Sequence, residues 1–191
     1  MPKLSDLAEI YSGFPVQGSV MHDPAGTALI VRPVDGNERH EIDWRNVARI
    51  VIPEQKRHRR LAAGDVLFRS VGTVNPTWLV TEVPDDVPAI AHQHFLQIRL
   101  KDPVWDPGFI TLLFNSDRIQ QYFRGQASGA TQAIVRRGVL ENFEVPTIDL
   151  ADQKQLVAEW HQHCDEVERL EKRLIELRAS FSSAFDAKLH C

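Results

Sequence analysis

The sequence has little cysteine, no long apolar run and no apolar leader. Its 191 residues include 2 cysteines, too few for the disulfide framework of a small secreted protein. No stretch approaches the roughly 18 consecutive apolar residues of a membrane-spanning helix, and the residues after Met1 lack the apolar core of a signal peptide. We therefore expect a cytoplasmic protein that does not contact a membrane.

Motifs of the common enzyme families are also missing. The sequence contains neither a phosphate-binding P-loop nor a Gly-x-Ser-x-Gly nucleophile motif. Asn75-Pro76-Thr77-Trp78 is similar to the Asn-Pro-Pro-aromatic loop of amino-methyltransferases. It lacks the second proline, no glycine-rich turn for S-adenosylmethionine is present, and we interpret it as a turn before a strand. His92 and His94 have no third metal ligand at a suitable spacing. The sequence thus predicts no catalytic residue, no metal site and no cofactor of its own.

The remaining composition is that of a globular protein. Hydrophobic residues make up 43% and charged residues 25% of the chain, and its length suits one domain with an extension. The predicted fold class is α/β, of the α+β type: a twisted mixed or antiparallel sheet with small helices over residues 1–148, then one long helix over 149–191. Asp106-Pro107 has the pattern of a helix start. Short β-branched runs predict strands at Ala28–Val31, Ile50–Ile52, Val66–Phe68, Trp78–Val83, Phe95–Leu100 and Phe143–Pro146.

Positive charge is concentrated locally although the net charge is -4. Residues 1–148 are nearly neutral and residues 149–191 are acidic, but Lys56–Arg60 is a dense basic stretch. A solvated loop is the alternative interpretation. Arginine suits phosphates and guanine edges, and glutamine suits adenine edges. The candidate DNA-binding residues are Arg45, Lys56, Arg57, Arg59, Arg60, Arg69, Gln132, Arg136 and Arg137.

The last forty residues carry a heptad pattern. Apolar residues recur in alternating steps of four and three, with one polar member, which is typical of a coiled coil. The alternative is an amphipathic helix that packs on its own domain, but the stripe is narrow for a broad core. We predict a homodimer through residues 150–186. The seam consists of Leu156, Trp160, His163, Val167, Leu170, Leu174, Leu177 and Phe181.

Charges beside the seam favour an antiparallel pair. In a parallel dimer Glu166 would face Glu171 of the partner, and Arg173 would face Arg178, so both contacts would repel. In an antiparallel dimer Glu166 can meet Arg173 of the partner when Val167 packs opposite Leu170. Glu171 then lies near its own symmetry mate, which is unfavourable. Exposed pairs of this kind contribute only about 0.2–1 kcal/mol each, so they bias the orientation without deciding it.

Seven short segments, in order along almost the whole chain, resemble one family. It is the specificity subunit of type I restriction-modification systems, at one target recognition domain and its following helix. The segments are Lys3–Ile10, Ser12–Pro15, Leu61–Phe68, His94–Arg99, Gly129–Gln132, Val145-Pro146 and Asp152-Gln153.

This resemblance implies a non-catalytic DNA-reading subunit. Its partners would be double-stranded DNA and a DNA methyltransferase subunit that carries S-adenosylmethionine, with a nuclease or translocase subunit as a further candidate partner. Members of the family usually hold two recognition domains and two antiparallel helices, whereas this chain has one of each. We therefore expect a half-size subunit whose homodimer reads an inverted, interrupted site. The alternative is a coiled-coil adaptor that binds protein and not DNA.

Overall fold

A four-stranded antiparallel sheet is the centre of the first compact unit, Met1–Lys154. The computed structural model describes residues 1–52, 59–84, 87–129 and 132–189. The edge strand Ala8–Ser12 alternates between buried and less buried positions, because successive side chains point to opposite faces, whereas the other three strands are buried on both faces over most of their length. In spatial order they are β1 (Ala8–Ser12), β7 (Phe95–Leu100), β4 (Val66–Arg69) and β5 (Thr77–Leu79).

A second, three-stranded sheet is mixed. Strand β2 (Ala28–Val31) lies in its middle and is buried along its whole length. It pairs antiparallel with β3 (Ala48–Ile50) and parallel with β6 (Ala89–Ala91). The predicted mixture of parallel and antiparallel pairing is therefore confirmed.

The helix Pro107–Asn115 (α2) packs against strands β4 and β5. The Asp106 carboxylate accepts from the backbone N–H groups of Gly108 at 2.8 Å and Phe109 at 3.1 Å, so the predicted helix start is confirmed. Phe68, Phe114 and Phe123 form an edge-to-face aromatic cluster beneath these helices. The helices are α1 (Leu4–Leu7), α2 (Pro107–Asn115), α3 (Asp117–Gln126), α4 (Arg137–Glu141) and α5 (Leu150–Leu189).

Three strand predictions need correction. Strand β3 ends at Ile50 and does not include Val51 or Ile52, and β5 ends at Leu79. Phe143–Pro146 is not a strand, since only Glu144 forms a bridge, to Lys3. Backbone hydrogen bonds do reach beyond these strand ends, from the Val80 N–H to the Asp65 carbonyl and from the Val145 N–H to the Pro2 carbonyl, both at 2.9 Å. They join single residues and do not extend into a longer ladder, which local β-propensity cannot predict.

The first turn of α5 is fastened to the sheet unit by Gln153. Its side chain is 1% exposed. Gln153 Oε1 accepts from the backbone N–H of Asp106 at 2.8 Å, and its Nε2 donates to the carbonyls of Ile148 at 3.0 Å and Val104 at 3.3 Å. The amide is thus fully committed to holding two helix starts together.

In the second compact unit, Gln155–Cys191, the described residues form the remainder of α5, which ends at Leu189. Ion pairs run along its surface, between Arg169 and Glu166 and between Arg173 and Glu176. Within the described ranges, no helix is both long and apolar enough to cross a membrane.

Candidate nucleic-acid interface

Arg59 and Arg60 are both exposed, with Arg59 against strand β1 and Arg60 bridged to Ile90 of strand β6. The Arg59 guanidinium carbon is 4.2 Å from the centroid of the Tyr11 ring, and its Nη2 is 3.5 Å from Glu9 Oε2. The Tyr11 hydroxyl donates to the same Glu9 carboxylate, and this hydrogen bond raises the pKa of the phenol. One arginine is thereby stacked on an aromatic ring at the surface.

A buried carboxylate lies directly under this surface. Asp65 is 1% exposed. It accepts from Arg99 Nε at 2.7 Å, Arg99 Nη2 at 2.6 Å, Gln97 Nε2 at 2.8 Å and the Ala62 N–H at 2.7 Å. Arg99 Nη2 and Gln97 Nε2 also donate to the Arg60 carbonyl, at 3.0 and 3.3 Å. The carboxylate raises the pKa of Arg99 through these charge-assisted bonds.

Arg69 and Gln132 are brought together through a short backbone pairing. Arg69 Nε donates to the Val71 carbonyl at 2.8 Å, and Val71 pairs with Ile134. Gly129 begins the turn that leads to this pairing, with φ at +125°. A Cβ there would lie 2.2 Å from the Gln132 carbonyl oxygen, so the turn requires glycine. Gln132 is exposed on this turn, next to the Arg69 segment.

His92 and His94 lie close to the segment that contains Arg69. The rings of His92 and His94 meet edge to face with centroids 4.4 Å apart. Burial, and then the charges of His94 and Arg32, lower the pKa of His92 to about 4. Burial and Arg69 lower the pKa of His94. Both residues lie in the turn between β6 and β7, not on a strand, and the described residues contain no cluster of three or more His, Cys, Asp or Glu side chains suited to a metal ion.

The pKa of His92 predicts a loss of stability in mild acid. The unfolded chain binds a proton near pH 6.5 and the folded chain only near pH 4. Stability from the neutral ring is therefore present above pH 6.5 and falls as the pH drops toward 4. The full shift corresponds to about 3 kcal/mol, and partial access of water reduces this to roughly 1–2 kcal/mol. Between pH 7 and 4.5, we expect the free energy of unfolding in urea to vary less with pH for His92→Gln than for the wild type. Equal pH profiles would contradict this role.

The remaining candidate arginines are paired locally or stand alone. Arg45 Nη2 is 2.6 Å from the Asp43 carboxylate, and this pairing lowers the pKa of Asp43 to about 2. Arg137 Nε is 2.7 Å from the Glu141 carboxylate, one helical turn away. Arg136 is exposed at the start of α4. The structure therefore groups Arg59 with Arg60 and Arg69 with Gln132, while Lys56 and Arg57 lie outside the described residues.

Tyr11, Gln97 and Arg99 support this surface, with Gln97 buried beneath it, although the sequence analysis did not include them among the candidates. The alternation along β7 places Gln97 and Arg99 on one face of the strand, which was visible in the sequence as a mixed face. A polar residue on a buried strand face needs a partner. The sequence therefore indicated that these side chains need a partner but not which one, because Asp65 lies 32 residues from Gln97 and 34 residues from Arg99.

Asn75 is part of the core and does not lie in an open loop. Its side chain is 0% exposed. Its Nδ2 donates to the Arg69 carbonyl at 2.8 Å, and its backbone is paired with the Gln120 amide at 2.8 and 3.1 Å. Thr77 and Trp78 are also buried, at the start of β5. This geometry agrees with a turn before a strand and not with a base-holding loop.

The heptad seam of α5 is largely open in the single chain. Leu170 is 57% and Phe181 73% exposed, and Trp160 packs against His163 at 5.8 Å between ring centroids. Helices in proteins owe most of their stability to the packing of an apolar face. Of the predicted seam positions, Trp160 and Val167 are half-buried and the others are exposed, namely Leu156, His163, Leu170, Leu174, Leu177 and Phe181.

Comparison with known proteins was informative only at the level of structure. No protein-family model matches the chain, and no curated protein sequence matches it. A chain from a structure of type I restriction-modification complex assembly and conformational transition is 17% identical, with a TM-score of 0.63, and the match covers 93% of this chain and 41% of that chain.

Two specificity subunits give similar matches. The type I restriction-modification S subunit from M. genitalium is 15% identical with a TM-score of 0.55, over 90% of this chain and 40% of that chain. The HsdS subunit from Thermoanaerobacter tengcongensis is 16% identical with a TM-score of 0.52, over 89% of this chain and 38% of that chain. The resemblance found in the sequence is therefore confirmed: this chain has the fold of type I specificity subunits and spans about two-fifths of their length.

Proposed function

We propose that the chain is a half-size specificity subunit of a type I-like restriction-modification methyltransferase. Residues 1–148 read double-stranded DNA, and residues 149–191 join two copies. The chain itself is non-catalytic: a DNA methyltransferase subunit brings S-adenosylmethionine, and a nuclease or translocase subunit can join. The observation that carries this proposal is that 90% of the chain matches about 40% of a specificity subunit, while α5 carries an exposed apolar seam that a second copy can cover. The second copy would supply the other recognition domain.

The seam supports an antiparallel homodimer because it is complementary to itself. With Val167 opposite Leu170, the same register pairs Trp160 with Leu177 and Leu156 with Phe181. His163 then faces Leu174, so every predicted seam position meets another. The charged flanks agree, since Glu166 lies near Arg173 of the second copy. These residues pair within their own helix in the single chain, and exposed pairs exchange at little cost.

The two copies of Leu150, where α5 begins, lie far apart in this register. Leu150 of one copy lies opposite position 187 of the other, so the two are about 56 Å apart along the helices at 1.5 Å per residue. This is longer than the 34–36 Å between half-sites one turn apart, and we propose half-sites separated by an unread spacer. The reading surface on each copy contains Arg59 and Arg60, with Arg69 and Gln132 as a second group. Arg45, Lys56, Arg57, Arg136 and Arg137 remain proposed phosphate contacts.

Selection from a random duplex pool tests this function. The full chain, alone and co-purified with its methyltransferase subunit, is incubated at low salt with duplexes that carry a randomised segment. We expect the recovered sequences to be inverted repeats with an unread spacer. Affinity should fall as salt rises, because phosphate contacts release counterions. Arg60→Ala should lower the salt slope by about 1 per chain, whereas Lys172→Ala on α5 should leave it unchanged.

Two outcomes would contradict the proposal. Asymmetric half-sites would exclude a homodimer as the reading unit. Absence of salt-dependent DNA binding in both preparations would favour the coiled-coil adaptor. Weaker binding by the chain alone is expected, since a methyltransferase subunit would share the neutralisation of phosphates.

A further inference from the structure

The backbone of Arg60 is held from two sides. Its carbonyl accepts from Arg99 Nη2 at 3.0 Å and Gln97 Nε2 at 3.3 Å. Both donors are fixed in turn by the buried Asp65 carboxylate. On the other side Arg60 forms a bridge with Ile90 at the sheet edge. The Arg60 side chain is left exposed on a rigid piece of backbone.

The side chain of Arg59 is held by strand β1. Its guanidinium lies 4.2 Å from the centroid of the Tyr11 ring, and Glu9 contacts it at 3.5 Å. Tyr11 is fixed by its position opposite Gln97 in the antiparallel pairing of β1 with β7. A stacked arginine has fewer side-chain conformations to lose when it binds a phosphate or a base edge.

We propose that Tyr11 and Arg99 are positioning residues that set the directions of the Arg59 and Arg60 side chains for DNA recognition. Tyr11 acts on Arg59 through its ring, and Arg99 acts on Arg60 through the backbone carbonyl. Neither residue needs to touch DNA. This inference rests on the proposed function, since it concerns how that reading surface is organised.

A double-mutant cycle between Tyr11 and Arg59 tests the first half. The probe is the duplex selected by the wild-type chain, and binding is measured by fluorescence anisotropy. Tyr11→Leu removes the ring and should lower the affinity about two- to fivefold for each chain of the dimer. Tyr11→Phe keeps the ring and should bind like the wild type. In an Arg59→Ala background, Tyr11→Leu should have no further effect.

The second half is tested with Arg99→Lys. Lysine keeps the charge but cannot reproduce the forked contact with both Asp65 and the Arg60 carbonyl. We expect a lower affinity for the selected duplex and an unchanged salt slope, measured well below the melting temperature. A purely structural role would lower the melting temperature and leave the affinity unchanged, and this result would overturn the assignment of Arg99.

These binding experiments distinguish failure of the positioning role from failure of the proposed function. If the wild-type chain selects no sequence, the proposed function is wrong and the positioning role falls with it. If the wild type selects a site but Tyr11→Leu binds like the wild type, or its effect adds fully to that of Arg59→Ala, only the positioning role of Tyr11 is wrong.

Discussion

Replacing Leu170 and Leu174 with glutamate is expected to convert a dimeric chain into a monomer. Each buried leucine contributes about 1.5–3 kcal/mol, so four substitutions per dimer remove roughly 6–12 kcal/mol. This is comparable with the entire binding free energy of a nanomolar dimer, about 12 kcal/mol. Light scattering coupled to size-exclusion chromatography would give the mass of each variant. The monomer should also lose recognition of the interrupted inverted site.

Ile175 provides the matched control. It is apolar and 66% exposed on the same helix but lies outside the seam. Ile175→Glu should therefore leave the dimer intact. A wild-type chain that is monomeric at working concentrations, or a charged double variant that remains dimeric, would contradict the seam.

Cysteine crosslinking decides the direction of the pair. In the proposed antiparallel register His163 faces Leu174 of the second copy, so a chain with both His163→Cys and Leu174→Cys should form a covalent dimer under mild oxidation. Leu174→Cys alone should not, because the two copies of residue 174 are about 16 Å apart along the axis. A parallel pair would give the opposite result for the single variant. The background replaces Cys164 and Cys191 with serine.

Asp65→Ala is expected to cause a large loss of stability in the sheet unit. The substitution leaves the Arg99 guanidinium, the Gln97 amide and the Ala62 N–H without their shared acceptor. Breaking one side of a buried ion pair typically costs 3–5 kcal/mol. Since the Arg99 side chain is 30% exposed and water can reach it, we expect about 3 kcal/mol. The melting temperature should fall by roughly 6–12 °C at equal protein concentration.

Asp43 is a control with the same kind of contact at the same distance. Its carboxylate and that of Asp65 each lie 2.6 Å from an arginine Nη2. The Asp65 side chain is 1% exposed and that of Asp43 27%, and their arginine partners are 30% and 85% exposed. Asp43→Ala should therefore change the melting temperature little. If both variants melted alike, burial of Asp65 would not be what makes its ion pair stabilising.

The same features explain which parts of the fold were predictable. The signals for the strand at Phe95–Leu100 and for the helix start at Asp106 lie in neighbouring residues, and both predictions are confirmed. The predicted strand at Phe143–Pro146 has strand-like residues too, but its pairing is limited to one bridge between Glu144 and Lys3 and the backbone hydrogen bonds on either side of it. Strand pairing is a long-range property, so local preference could not decide it.

Features whose signals are local could be predicted from the sequence alone. They are the β-branched runs, the helix start, the heptad seam and the basic stretch at Lys56–Arg60. Their signals lie within a few turns of backbone, where periodicity and capping act. Only the tertiary structure placed Tyr11 under Arg59 and Asp65 against Arg99. These contacts follow from the register of β1 and β4 on β7, because side chains distant in sequence meet only after the strands have paired.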